Sequence, residues 1–205
     1  MRTLFEDIWA WSVYSKQKRL DFNGHVLRGE QATILVDPPA LDEDDLEKIR
    51  REPAPFHILL TNKDHCRDSQ ALRRQLDAEL WIHEADAGLL ENAPDHTLTD
   101  GQLLPGGLRA LHVPDNKSPG ETAFFLDRHD GVLILGDALI GYPIGEVSLL
   151  PRDKYADAAR AKEGIRVLLG PQYQTLLLGD GASIFRNGRD AVQRFLQRDD
   201  PATGS

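Results

Sequence analysis

Residues Phe56 to Asp68 constrain this chain more than any other stretch. Phe56-His57-Ile58-Leu59-Leu60 is an apolar run of strand length, and it stops at five polar residues, Thr61-Asn62-Lys63-Asp64-His65. Cys66, Arg67 and Asp68 follow, and then Ser69 to Leu76 has amphipathic, helical spacing. Strand, tight loop and helix in that order belong to open α/β architectures, where ligands gather at the carboxyl ends of strands.

The flanking sequence supplies the rest of such a fold. Ile8 to Tyr14 and His25-Val26-Leu27 are strand-like, and Asn23-Gly24 between them is a hairpin signal. Ala32 to Asp37 reads as a buried strand stopped by Pro38-Pro39. Asp42 can cap a helix that carries Asp45 early and Lys48, Arg50 and Arg51 late, the order favoured by the helix dipole. Leu80 to His83, Leu108 to Val113, Thr122 to Leu126 and Val132 to Leu135 are closely spaced strands, expected to be antiparallel. A helix is expected from about Pro151 to Leu169, a strand over Thr175 to Leu178, and a last helix over Arg189 to Gln197. Residues 1–197 read as one domain and 198–205 as a flexible tail. Two successive strand-rich halves, each finished by helices, predict two packed sheets flanked by helices.

Bulk properties narrow the function classes. A formal charge of −9 without a local basic cluster argues against a nucleic-acid partner. No stretch approaches the ~20 apolar residues of a membrane span, and the first residues lack a secretory pattern. The single cysteine, Cys66, excludes an internal disulfide and fits a reducing compartment, so a cytoplasmic location is expected. Trp9, Trp11 and Trp81 read as core or subunit-contact residues, leaving a homodimer open.

The Thr61 loop, the Pro114 to Gly120 loop, Gly136-Asp137 and Gly179-Asp180-Gly181 also resemble, in order, the landmarks of the metallo-β-lactamase-fold hydrolases. The resemblance implies an αββα sandwich of two mixed sheets. In that family a Thr-His-x-His-x-Asp-His loop and later residues hold two metal ions. Here the three histidine positions of the loop fall on Asn62, Asp64 and Arg67, and its aspartate on Cys66. Aligning Ser118-Pro119-Gly120 puts Lys117 at the next histidine. Asp137 is kept, and Asp180 replaces the last histidine.

The substitutions change the electrostatics. Three converging acids, Asp64, Asp137 and Asp180, would repel unless compensated. Arg67 and Lys117 fall in the same ring of positions and can supply fixed cations where the metals were. The first reading is therefore a metal-free cleft with an ion-pair network and no cofactor, able to bind a small polar or anionic ligand. Asp64, Asp137 and Asp180 are its candidate catalytic carboxylates, and Asn62, His65, Arg67 and Lys117 its candidate ligand-binding residues. His65, between the ligand positions, reads as a buried hydrogen-bonded support. The alternative keeps zinc or another divalent metal on Cys66, Asp137 and Asp180, making the chain a hydrolase of an ester, thioester or amide-like bond. A purely structural role for the fold is a third possibility.

Overall fold

A computed structural model describes residues 1–198 of the chain. Two mixed sheets lie face to face. The first runs in sequence order through β1 (Arg2–Phe5), β2 (Ile8–Ser15), β3 (Leu20–Arg28), β4 (Thr33–Val36), β5 (Phe56–Leu59), β6 (Glu79–His83) and β7 (His96–Leu98). Its first four strands are antiparallel, and β4 through β7 are parallel. The second sheet comprises β8 (Leu108–His112), β9 (Thr122–Leu126), β10 (Val132–Leu135) and β11 (Thr175–Leu178), ordered β11-β10-β9-β8. Only its β10–β11 pair is parallel.

Three apolar layers hold this arrangement. Ile34, Val36 and Leu59 of the first sheet meet Phe124, Ile134 and Leu177 of the second in the layer between the sheets. On the outer face of the first sheet, Val26, Leu35 and Ile58 pack against Leu46 and Ile49 of α1 (Glu43–Ile49) and Leu72 and Leu76 of α2 (Ser69–Leu76). On the outer face of the second, Leu133 and Leu178 pack against Ile165, Leu168, and Val192 and Phe195 of α5 (Gly188–Gln197). β4, β5, β10 and β11 are buried at every position, as strands covered on both faces must be. The result is the expected αββα sandwich. No helix among the described residues is long and apolar enough to cross a membrane.

Several local expectations differ from the structure. Asn23-Gly24 lies inside β3, and the chain reverses instead between Ser15 and Leu20, where Arg19 adopts φ 57°. Gly24 is there because Trp11 lies on it: a Cβ would stand 2.5 Å from the indole. β6 joins the parallel part of the first sheet rather than an antiparallel set. The helix expected over 151–169 is broken into a 3₁₀ turn at Arg152–Lys154, α4 (Ala158–Gly164) and a second 3₁₀ segment at Ile165–Leu169. Asp157 starts α4 by accepting from the backbone N–H groups of Ala159 and Arg160. The sequence carries no clear local signal for the short α3 (Glu84–Ala87), β1 or β7. Beyond Arg198, the expected tail lies outside the described residues.

This topology brings the carboxyl ends of two parallel strand pairs to one edge of the sandwich. Asp37 follows β4 and Thr61 follows β5, while Asp137 follows β10 and Asp180 follows β11.

Candidate functional site

The site is built outward from a buried aspartate. Asp37 takes φ 46° after β4 and turns its carboxylate under the Thr61 loop. Thr61 donates its backbone N–H to one oxygen at 2.8 Å and its hydroxyl to the other at 2.6 Å. His65 Nδ1 lies 2.7 Å from that second oxygen. Burial opposes the charged carboxylate, yet His65, Arg67 and Thr61 outweigh it and hold Asp37 below its usual pKa.

A 3₁₀ turn over Lys63–His65 aims the loop. Asn62 starts it by accepting from the Asp64 N–H at 2.9 Å, and its side-chain N–H₂ donates to Glu121 at 2.8 Å. The turn swings His65 inward, where Nε2 stands 3.4 Å from Asp137 Oδ1. Burial would lower the His65 pKa, but Asp37 and the bonds to Asp137 and Asp37 raise it to about 10. The two carboxylates that clamp His65 thus favour its imidazolium form.

Lys117 comes from the loop after β8. Its ammonium lies 2.6 Å from Asp137 and 2.9 Å from Asp64, and Lys63 takes the other Asp64 oxygen at 2.8 Å. Burial disfavours the charge on Asp137, but His65 and Lys117 overcome it and keep the carboxyl strongly ionised. Arg67, at φ 41°, donates to Asp180 at 2.6 Å and to the carbonyls of Asn23, Asp37 and Gly179. Its guanidinium also lies over the Phe22 ring, 4.9 Å from the centroid. Burial pushes the Asp180 pKa up, with His65 and Arg67 acting against the rise.

Besides Asp37, two further acids in this region escape a sequence reading. Glu121 is fully buried, accepts from Asn62 and from the Ala138 N–H at 2.9 Å, and burial with Asp137 raises its pKa well above normal. Its only sequence signal is an acid placed directly before β9. Asp86, in α3, accepts from the Lys63 N–H, the Ser118 hydroxyl and the Gly120 N–H, tying the Thr61 loop to the Lys117 loop. Gly120 is required by that approach, since a Cβ would stand 2.6 Å from the Asp86 carboxyl carbon.

The candidate residues therefore fall into two places. Asp64, His65, Arg67, Lys117, Asp137 and Asp180 line one cleft of about 530 Å³, and Asn62 is wholly buried behind it. Cys66 points away. It packs against the apolar layer under α2, and burial pushes its thiol pKa up. Among the described residues, the side chains that could share a metal ion are His65, Asp137 and Asp180, whose ligand atoms lie within 4.8 Å of one another. The residue-by-residue placement from the sequence put Cys66 there; the 3₁₀ turn puts His65 there instead.

A family model described as "Metallo-beta-lactamase superfamily" matches residues 1–198. The chain is similar to a metallo-beta-lactamase from Pontibacter korlensis at 16% identity, with 96% of this chain and 98% of that one covered and a TM-score of 0.77. The DIM-1 metallo-beta-lactamase covers 96% of this chain and 95% of its own at 14% identity and TM-score 0.77. TTHA1623, solved in a di-iron-bound form, covers 88% of this chain and 96% of its own at 23% identity and TM-score 0.68. At these identities the likeness establishes the fold. No curated protein matches the sequence at a significant level.

Proposed function

The chain belongs to the metallo-β-lactamase superfamily, and from that premise we propose that its cleft is a metal-free binding site for a small polar or anionic ligand. One observation carries this reading: each carboxylate at the family's ligand positions already has a fixed cation. Lys117 lies 2.6 Å from Asp137, and Arg67 lies 2.6 Å from Asp180. Displacing either cation with a metal ion would leave a positive charge beside the incoming one.

The donor chemistry supports the same conclusion for a pair of ions. A dinuclear centre needs imidazoles and carboxylates on both sides, and of the seven family positions only Asp137 keeps its residue. Two ions do not fit. In this reading Asp37 and Thr61 fix His65, and His65 with Lys117 keeps the buried Asp137 ionised.

A second reading is favoured by the convergence of His65, Asp137 and Asp180. One imidazole and two carboxylates are a chemically competent set for a single divalent ion, and Asp37 on His65 Nδ1 is the partner such a histidine commonly has. A zinc or similar ion there would supply an activated water for hydrolysis of an ester, thioester or amide-like bond.

Metal content separates the two. The protein, purified without chelator and then incubated with zinc, iron or manganese, is quantified per chain by plasma mass spectrometry. The metal-free reading expects well under a tenth of an equivalent in every case; near one equivalent replaces it with the mononuclear one.

A further inference from the structure

The cations expected to receive the ligand are already committed. Arg67 donates to one carboxylate and three backbone carbonyls, and Lys117 sits between Asp137 and Asp64. His65 is held by Asp37 and Asp137. The floor of the cleft is a closed set of ion pairs, and an incoming anion would have to break a buried pair to use it.

The rim differs. Lys18, from the β2–β3 turn, and Lys154, from the 3₁₀ turn after Pro151, both line the cleft. Lys18 enters no ion pair among the described residues, and Lys154 reaches only the exposed Asp153, at 3.8 Å. The same cleft also has apolar lining: Leu20, Phe22, Ile140 and Leu150 face it. A chain of net charge −9 thus presents two lysine ammonium groups outside the buried ion-pair set in a partly apolar cleft.

We propose that the cleft takes an amphiphilic monoanion, with its apolar body against Leu20, Phe22, Ile140 and Leu150 and its anionic group at Lys18 and Lys154. This rests on the cleft being a ligand site. It reassigns anion recognition from Arg67 and Lys117, which act as the floor that excludes the anionic end. A fully polar dianion would leave the apolar wall wet, and a neutral apolar molecule would leave both lysines unused.

The test uses octanoate, with 1-octanol and acetate as probes that each lack one half of the pattern. Titration calorimetry on the full chain, its metal content measured on the same sample, should show octanoate binding at least tenfold tighter than either control. Added salt should weaken it. The double variant Lys18→Gln, Lys154→Gln should lose about tenfold in octanoate affinity, roughly the worth of exposed ion pairs to a ligand, with its melting temperature unchanged.

Equal octanoate affinity in wild type and double variant overturns the assignment to the rim lysines. Absence of octanoate binding, or octanol binding as well as octanoate, overturns the ligand class while leaving the metal-free cleft intact. Octanoate binding confined to protein carrying an equivalent of metal overturns both readings.

Discussion

The Lys117 ammonium lies 2.6 Å from a carboxylate oxygen of Asp137, whose side chain is 4% exposed against 25% for the lysine. The geometry makes the lysine a structural counter-ion. Lys117→Met should therefore destabilise the protein by about 2 kcal/mol, less than a wholly buried pair because the lysine is partly solvated and His65 still faces Asp137. Urea unfolding of the single variants and of the double variant with Asp137→Asn checks this. The double variant should lose at least 1 kcal/mol less than the two singles together, and additive losses would show that the pair is not coupled.

Arg67→Lys should cost about 2 kcal/mol although charge is kept. A lysine cannot serve Asp180 and the carbonyls of Asn23, Asp37 and Gly179 at once, because its ammonium lacks the planar fork of the guanidinium. Thermal melts of wild type and variant read this directly. An unchanged melting temperature would mean that the guanidinium's four bonds contribute no more than a point charge.

His25 gives the fold an acid-side weakness. It is 1% exposed, and its Nδ1 is buried without a partner among the described residues. Burial, against the pull of Asp37, lowers its pKa from 6.5 to about 4. The unfolded chain therefore binds a proton at a higher pH than the folded one. Its contribution is fully present above pH 6.5 and is lost as pH falls toward 4, amounting to about 3 kcal/mol across that window. Denaturant titrations between pH 7 and 4 should show this loss in wild type and a shallower slope in His25→Leu. Parallel slopes would exclude His25 as the source.

Gly136→Ala should destabilise by about 2 kcal/mol through overpacking. An added Cβ would stand 2.0 Å from the Thr61 hydroxyl oxygen, the group that holds Asp37. The midpoint of guanidinium unfolding should fall with its slope unchanged. A wild-type midpoint would show that the Thr61 loop can retreat without loss.

Much of the architecture was legible because burial on both faces writes itself as uninterrupted apolar runs. Ile34-Leu35-Val36, Ile58-Leu59-Leu60, Val132 to Leu135 and Leu176-Leu177-Leu178 each run into the polar residues that line or support the cleft. What failed were short-range signals with long-range overrides. Asn23-Gly24 has the composition of a turn, yet its glycine serves the indole of Trp11 on the neighbouring strand, a contact no local pattern encodes. Gly164 similarly marks the place where Pro114 O approaches, 2.2 Å from where a Cβ would be.

At the site, the order of residues already required acids and bases to stand together: Asp64, Arg67, Lys117, Asp137 and Asp180 follow strands or occupy loops that a sandwich of this order brings to one edge. Which of them face inward was a matter of backbone rotation. The single turn at Lys63–His65 exchanges Cys66 for His65 in the cleft, and the pairing of Asp37 with His65 joins residues 28 positions apart. Charge balance followed from that pairing. Tertiary structure alone decided it, because a buried ion pair depends on distance and desolvation, and neither is a property of spacing along the chain.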